Sequence, residues 1–316
     1  MKVTTLFRRN SLWTTAVYVQ SHLDLPPNGE PCRLFATKKL WRGPSHVHTR
    51  ADPFLHVHGK ELFLFCETMA GSGPAWIEAY KTIDLINFSS LGVILKETGD
   101  LSYPFVFETD SEVYMIPETV FANQVRLYRF NDFPRDPVKV RVLLWGDYVD
   151  TSAIKLGDTW FLFTTSETRG LELFYTHDLI KGDLIPHPRN PITNDARFRR
   201  CGGAPVRIDK TLYRLAQDCS HTYGGNLNLM EVETLSHTDY NERLARENIF
   251  RCDRPWNRQG GHHASVVMFN GSTVVAIDGK QYDHYLIHKI VRGAYWLATG
   301  DAAAGPSWHR LAAPGL

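Results

Sequence analysis

Residues 51–67 read ADPFLHVHGKELFLFCE and contain the pattern on which the fold depends. Two short apolar runs, PFLHV and ELFLF, stand on either side of the turn residues HGK. Short runs of aromatic and β-branched residues favour strands, and a glycine beside polar residues favours a tight turn. The stretch therefore predicts a strand, a turn and a second, antiparallel strand that ends at Glu67.

The same strand–turn–strand unit recurs four more times along the chain. Its strand pairs are PFVFE with EVYMI, TSAIK with TWFLF, PVRI with TLYRLA, and ASVVM with TVVAI. The units start at Asp52, Tyr103, Asp150, Ala204 and His263, which gives a period of about fifty residues. An antiparallel repeat of this length is typical of a propeller blade, and the alternative is a β-sandwich with accidental spacing.

We therefore predict an all-β fold, a five-bladed β-propeller formed by a single domain over residues 1–316. The strand around Leu12–Val19 precedes the first unit. We expect it to complete the fifth blade, because a closed ring leaves no free sheet edge. Helical periodicity is scarce, and the short stretch Thr238–Glu247 is the best helix candidate.

The composition excludes several classes of function. Lys and Arg number 35 against 34 Asp and Glu, so there is no basic surplus for nucleic acid or for a polybasic membrane contact. No apolar run is long enough for a transmembrane helix, and the first residues do not resemble a signal peptide. The five cysteines are odd in number and form no CxxC pair, so we expect reduced thiols in a cytoplasmic protein.

Acidic side chains recur at one position of the repeat. Fifteen residues after the five starts come Glu67, Glu118, Thr165, Cys219 beside Asp218, and Asp278. In a hairpin the start of the first strand lies beside the end of the second, so both positions should meet at one face of the ring. The residues expected on this rim are Asp52, Glu67, Glu118, Asp150, Asp218, His262, His263 and Asp278.

Carboxyl groups that cluster raise one another's pKa, and burial adds to this effect. One group can then stay protonated as a general acid while another stays ionised as a base, as glycosidic bond cleavage requires. Two catalytic carboxyls ~6.5–9.5 Å apart would invert the configuration at the anomeric carbon. A separation of ~5–5.5 Å would retain it. A solvated strand end is the alternative explanation for any one of these acidic residues. It explains less well why several of them should meet at one face.

The opening stretch, ADPF followed by ELFLFCE, resembles the first blade of the five-bladed glycoside hydrolases of family 43. Residues 50–245 more closely resemble the propeller domain in the N-terminal region of plant glucosamine inositolphosphorylceramide transferases. The motifs that carry this resemblance are LSYPFVFE, VYMIPET, LELFY, HPRNPI and LYRLAQDCSHTYGGNL. It implies a five-bladed propeller and a saccharide or glycolipid partner. The reaction stays open, because in the plant proteins the transferase chemistry is attributed to another domain.

The resemblance to family 43 implies roles for two residues. Asp52 matches the general base, and Asp150 in YVDTS matches the aspartate that adjusts the pKa of the acid and positions the substrate. The family's general acid, a glutamate that opens the fourth blade, has no match, because residues 201–205 read CGGAP. From the repeat, Glu118 is the preferred substitute acid and Glu67 is the second choice.

Seven further residues are candidates for substrate binding. A cationic side chain can bind an anionic group, and an aromatic ring can stack on a sugar. The more common alternatives are a surface or turn role for the cation and a role in the blade core for the aromatic ring. The candidates are Tyr103, Arg199, Asp218, Tyr223, His262, His263 and Asp278, with Arg200 as a second cation beside Arg199. No metal or cofactor is expected, and the alternative is a divalent cation beside His262 or His263, which the family 43 resemblance implies.

Three functions therefore remain open. The preferred one is a glycoside hydrolase or transglycosylase that acts through the rim carboxylates. The others are a glycosyltransferase of surface-polysaccharide or glycolipid synthesis and a non-catalytic glycan-binding propeller. The sequence has neither GxxxxGK[ST] nor GxGxxG before a helix, so it does not indicate a nucleotide-phosphate loop.

Overall fold

A computed structural model describes residues 9–37, 46–71 and 73–284. These residues form twenty-one β-strands and one three-residue 3-10 helix, Val120–Ala122, and they contain no α-helix. No helix in this part of the chain is long and apolar enough to cross a bilayer. Of the predicted single domain, residues 1–8, 38–45, 72 and 285–316 lie outside the described residues.

The strands fall into five groups. The chain begins with β1 (Arg9–Gln20) and β2 (Arg33–Phe35). The first group is β3 (Val47–His58), β4 (Glu61–Ala70), β5 (Trp76–Thr82) and β6 (Ser89–Leu95). The second is β7 (Ser102–Thr109), β8 (Glu112–Glu118), β9 (Gln124–Asp132) and β10 (Arg135–Trp145). The third is β11 (Tyr148–Leu156), β12 (Thr159–Ser166), β13 (Gly170–Thr176) and β14 (Ile185–Pro186). The fourth is β15 (Arg200–Cys201), β16 (Val206–Ile208), β17 (Thr211–Asp218), β18 (Asn226–Leu235) and β19 (Tyr240–Arg246). The fifth joins β20 (Ala264–Phe269) and β21 (Ser272–His284) to β1 and β2.

These groups build four sheets. The second, third and fourth groups are separate sheets with antiparallel neighbours. The first and fifth groups share one eight-stranded sheet, in which β1 pairs with β3 in parallel at Trp13 and Thr49, and the Thr15 hydroxyl donates to the Arg50 carbonyl at 3.0 Å. Strand β1 pairs with β21 along its whole length, which confirms that Leu12–Val19 joins the last predicted hairpin.

All five predicted strand pairs form antiparallel hairpins. Glycine supplies a left-handed turn residue in three of them, at Gly59 (φ 60°), Gly157 (φ 62°) and Gly271 (φ 78°). The helix candidate Thr238–Glu247 is wrong, because this stretch contains β19, which pairs with β18. Cross-strand packing outweighs a weak local propensity there.

Apolar side chains fill the space between neighbouring groups. Phe63 and Phe65 of the first group pack with Val106 and Met115 of the second. A larger cluster joins the second and third groups, and β12 within it is buried along its whole length. This packing holds the opening strands of the first three groups, β3, β7 and β11, side by side. Side chains at the starts of these strands can therefore form one site.

Candidate functional site

Three strands bulge at the same position of the repeat. In β3, β7 and β11 the pairing with the following strand skips two residues. The first skipped residue has a left-handed backbone in each case: Asp52 (φ 49°), Tyr103 (φ 46°) and Asp150 (φ 51°). This conformation costs a non-glycine residue roughly 1–3 kcal/mol, and bulges turn side chains away from the regular strand direction. Such bulges are common beside active sites.

Carboxylates of one group accept hydrogen bonds from the bulge amides of the next. The amide of Asp52 donates to Asp278 Oδ2 at 3.2 Å, and the amide of Tyr103 donates to Asp52 Oδ2 at 3.2 Å. The amide of Asp150 donates to Glu118 Oε2 at 3.3 Å. A bulge removes an amide from the strand ladder, so a buried bulge amide needs another acceptor. These bonds connect the fifth group with the first, the first with the second, and the second with the third.

We call Asp52, Glu67, Glu118 and Asp150 the carboxylate cluster. The structure brings together these four acidic residues, which the repeat predicts on one rim: Glu67 interacts electrostatically with Asp52 and Glu118, and Glu118 with Asp150. Asp52 and Asp150 are buried, whereas Glu67 and Glu118 are half-buried.

Burial and mutual repulsion raise the pKa of three carboxyls of the cluster. Burial, followed by the neighbouring Asp278 and Asp150, raises the pKa of Asp52 to about 7, against the opposing effect of His262. Burial and Asp150 raise the pKa of Glu118 to about 8. The pKa of Glu67 lies well above its ordinary value because of burial and the nearby Asp52 and Glu118. A carboxyl that keeps its proton near neutral pH can act as a general acid.

Asp150 has a permanently charged partner. Arg200 Nε lies 2.6 Å from Asp150 Oδ2, and Gln217 Nε2 donates to the same oxygen at 3.3 Å. The other arm of the guanidinium reaches Glu167 Oε1 at 2.6 Å. Burial raises the pKa of Asp150, and Arg200 opposes that rise. The guanidinium brings a fixed positive charge to the third-group side of the cluster.

His262 forms a buried ion pair with Asp278. Its Nδ1 lies 2.6 Å from Asp278 Oδ2 and 3.7 Å from Asp52 Oδ1, and its ring stacks on Trp13 with 4.2 Å between centroids. Burial alone would lower the pKa of His262, but the carboxylates of Asp278 and Asp52 outweigh it and raise the pKa. His262 in turn overcomes the effect of burial and lowers the pKa of Asp278. These carboxylates therefore favour the protonated form of His262 beside Asp52.

The same residues fit the cation that the family 43 resemblance implies. One nitrogen of His262 and one carboxylate oxygen each of Asp52 and Asp278 lie within 4.8 Å of one another. Imidazole and carboxylate are ligands that divalent cations accept. When bound, a cation would supply positive charge next to Asp52 in place of the His262 proton.

Two predicted residues point away from the cluster. Arg199 bonds to the Asn194 side chain at 3.1 Å and to the Glu167 carbonyl on the exterior. Asp218 accepts hydrogen bonds from the amide and hydroxyl of Ser220 within a turn. Both therefore stabilise loops beside the cluster, and neither touches its carboxyls.

Two further candidates are packed in the interior. Tyr103 and His263 are completely buried, with their ring centroids 5.2 Å apart. The ring nitrogens of His263 form no hydrogen bond with any described residue, and burial lowers the pKa of His263 to about 3. The Tyr103 hydroxyl accepts the amide of Gly203 at 3.0 Å. These rings support the bulged strands from below.

Tyr223 lies at the mouth of the cluster. Its side chain is 49% exposed, and its ring stands edge-on to His262 with 5.1 Å between centroids. The Arg200 guanidinium lies 5.1 Å from the same ring. A half-exposed aromatic residue beside Arg200 and His262 suits contact with a sugar ring.

Sequence reasoning missed Trp13 and Glu167. Trp13 lies in the strand expected to complete the fifth blade, but nothing in the repeat singles out its contact with His262. Glu167 comes two residues after Thr165, the repeat position of the third unit. A search of the residues that flank each repeat position would have found it.

Two comparisons with solved structures describe the fold. A thermostable family-43 glycoside hydrolase superposes with a TM-score of 0.52 and 13% identity, covering 74% of this chain and 89% of that one. The RS223 β-xylosidase superposes with a TM-score of 0.55 and 10% identity, covering 78% and 98%. At these identities the likeness concerns the all-β propeller fold alone.

Comparison of sequences identifies the family. The family model described as glucosamine inositolphosphorylceramide transferase 1, N-terminal, matches residues 36–280. The rice (Oryza sativa subsp. japonica) transferase of that name is 34% identical over 244 residues, which cover 72% of this chain and 33% of the rice protein. The Arabidopsis thaliana transferase is 33% identical over 264 residues, covering 78% and 34%. The chain thus spans about a third of the length of these curated relatives. It belongs to the glucosamine inositolphosphorylceramide transferase 1, N-terminal, family.

Proposed function

We propose that the five strand groups are the five blades of a β-propeller, with β1 and β2 completing the fifth. Each group opens with a hairpin of the fifty-residue repeat, and the bulged strands that open three of them meet at the carboxylate cluster. The likeness to family-43 glycoside hydrolases supports this arrangement. An experimental structure with a different blade number, or with two stacked sheets, would contradict it.

We further propose that the protein is a carbohydrate-active enzyme that cleaves or transfers a glycosidic bond at the carboxylate cluster. The observation that carries this proposal is the meeting of Asp52, Glu67, Glu118 and Asp150, which come from three groups. Two of them occupy left-handed bulges, so the chain accepts strained backbone in order to place carboxyls there. A cluster of neighbouring carboxyls adds little to the stability of the fold, whereas acid–base catalysis requires carboxyls with shifted pKa values.

The roles follow from the partners of each carboxyl. Asp52, with His262 beside it, takes the proton of a water molecule or acceptor hydroxyl as that oxygen attacks the anomeric carbon. Glu118, whose pKa of about 8 keeps it protonated, gives its proton to the departing glycosidic oxygen. Asp150, paired with Arg200, positions the substrate and tunes Glu118, whose oxygen bonds to the Asp150 amide. Glu67 is the second choice for the acid.

A second candidate is transfer of a sugar to a glycolipid acceptor. The curated relatives are named transferases of this kind, and this chain shares their N-terminal family. Arg200 is the specific feature in its favour, because a guanidinium at the edge of the cluster can hold the phosphate of an inositolphosphoryl headgroup. In this candidate the acceptor is a hydroxyl of the glycolipid, which Asp52 would deprotonate in place of water.

The test is a screen of the purified chain against glycosides, oligosaccharides and phosphoinositol-containing glycolipids. Release of a free sugar would support hydrolysis, and a new glycosylated lipid would support transfer. Activity should fall sharply in Asp52→Asn and persist in Asp158→Asn, an exposed turn residue that serves as the matched control. A glycan that binds but is neither cleaved nor transferred would overturn the catalytic proposal and favour a binding module.

The role of Glu118 has its own test once a substrate is known. Glu118→Gln should slow substrates with poor leaving groups far more than activated aryl glycosides, because the latter need little protonation. Equal losses on both kinds of substrate would remove Glu118 from the acid role and leave Glu67 as the candidate.

A further inference from the structure

A second group of ligand-type side chains lies between the first and second strand groups, away from the carboxylate cluster. His56 and His58 are two residues apart on β3, so both side chains point to the same face of the strand. His56 pairs with Phe63, which packs against Val106 of β7, so this face looks toward the second group. Glu108 lies two residues after Val106 and faces back toward the histidines.

The three side chains converge on one point. Glu108 Oε2 lies 3.1 Å from His58 Nδ1 and 4.0 Å from His56 Nε2. One ligand atom from each residue lies within 4.8 Å of the other two. Ligands at the usual zinc distances in a tetrahedral site stand about 3.3 Å apart, so small side-chain movements would complete the geometry.

His56 supplies an independent indication of a missing ligand. Its side chain is only 10% exposed, yet its Nε2 forms no hydrogen bond with any described residue. A buried ring nitrogen without a partner is costly, and it is aimed toward Glu108. The ring of Phe133 lies 5.5 Å from His56 and 5.0 Å from His58, so one side of the group is apolar.

We propose that His56, His58 and Glu108 bind a zinc ion that joins the first and second strand groups. Two imidazoles and one carboxylate are a common zinc ligand set, with the fourth position open to water. The His58 and Glu108 side chains are 45% and 40% exposed, which leaves that position accessible from solvent. The apolar side formed by Phe133 favours retention of the ion.

The zinc site is separate from the proposed catalytic centre. His56 and His58 follow Asp52 by four and six residues along β3, which is roughly 13 and 20 Å of extended strand. Its position between two sheets gives it a structural role, because a metal bound only by the folded chain stabilises that chain. This proposal does not depend on the proposed glycosidic chemistry.

The test uses the full chain, stripped of metal with a chelator and titrated with Zn²⁺ against a chromophoric competitor. We expect one tight site per chain and a rise in the thermal midpoint of about 5 °C at saturating Zn²⁺. His58→Ala, at a half-exposed position, should weaken that site by at least about 100-fold and abolish the thermal shift. The matched control is His177→Ala, an exposed histidine that also lies near an acidic residue, and it should change neither.

A second variant and a second metal keep the test independent of folding defects. Glu108→Gln preserves the volume and the contact with His58 but removes the anionic ligand, so it should also weaken Zn²⁺ binding. Co²⁺ bound at the site should give the visible absorption of a tetrahedral complex with nitrogen ligands, and both variants should lose it. The proposal is overturned if the wild type binds no Zn²⁺, or if His58→Ala and Glu108→Gln bind it as tightly as the wild type.

Discussion

The carboxylate cluster and the Arg214–Glu242 pair of the fourth group both bury charged groups, but their partners differ. In the pair, Arg214 donates to both oxygens of Glu242, at 2.9 and 2.6 Å, and the Tyr240 hydroxyl donates at 2.6 Å. In the cluster, four carboxyls share Arg200 and His262, and Asp52 Oδ1 forms no hydrogen bond with any described residue. One region matches each charge with a partner, and the other crowds like charges together.

The difference appears in the protonation of the two regions. Burial raises the pKa of an acid, but Arg214 overcomes it and lowers the pKa of Glu242. In the cluster burial dominates, so the pKa values of Asp52 and Glu118 rise to about 7 and about 8. A matched pair stabilises the fold and stays ionised, whereas a crowded cluster holds protons that it can exchange near neutral pH. Substitutions in the cluster should therefore change activity, and substitutions in the pair should change stability.

The largest effect is expected for Asp52→Asn. The substitution keeps shape and hydrogen bonding but removes the proposed base, so turnover should fall by about 10²–10⁴-fold. The free energy of unfolding should stay equal or increase, because the substitution removes a buried carboxylate that its acidic neighbours repel. Turnover and urea unfolding of the same protein sample measure both. Undiminished turnover would remove Asp52 from the chemistry.

The opposite pattern is expected for Glu242→Gln. It leaves the Arg214 guanidinium buried without a counter-charge, which should cost about 3–5 kcal/mol in the free energy of unfolding. Glu233→Gln is the matched control in the same group, because its pair with Arg243 is solvent-exposed and should contribute less than about 1 kcal/mol. Similar losses of unfolding free energy in the two variants would show that the buried pair contributes no more than the exposed one.

The two regions should also respond oppositely to pH. The folded protein keeps the Glu118 proton up to about pH 8, whereas the unfolded chain releases it near the ordinary pKa of 4.5. Stability from this group therefore falls as the pH rises between these values, by up to about 1.4 kcal/mol per pH unit.

Urea unfolding of the wild type and of Glu118→Gln across this pH range measures that dependence as the difference between the two proteins. The Glu242 contribution has the other sign, since its pKa is lowered and its stabilisation is lost only as the pH falls below 4.5. A wild-type minus Glu118→Gln difference that is flat with pH would contradict the raised pKa.

The smallest effect is expected for Arg199→Ala, next in sequence to a cationic member of the site. Arg199 lies on the exterior, so its loss should change the free energy of unfolding by less than about 0.5 kcal/mol and leave turnover unchanged. Arg200→Ala, measured in parallel, should lower turnover and shift its pH profile, because Asp150 loses its cation. A larger loss of turnover from Arg199→Ala than from Arg200→Ala would reverse this assignment.

Much of the cluster could be located from the sequence because strand ends follow a simple rule. A hairpin returns its second strand to the start of the first, so a fixed count from Asp52 and Tyr103 leads to Glu67 and Glu118. The sequence could not show which of Arg199 and Arg200 belongs to the site, because that depends on which of the two adjacent side chains points toward the cluster. It also could not reveal the bulges, because the aspartate and tyrosine at these positions do not signal a left-handed backbone as glycine would.

The hairpins, their repeat and the family can be inferred from the chain alone, because they depend on residues that are close together in it. Which charges meet depends on the folded arrangement. Asp52 and Asp278 are 226 residues apart, yet the amide of one donates to the carboxylate of the other, and His262 lies between their side chains. The chemistry of the cluster depends on such distances and on burial, since a pKa responds to every charge within a few ångströms and not to sequence position.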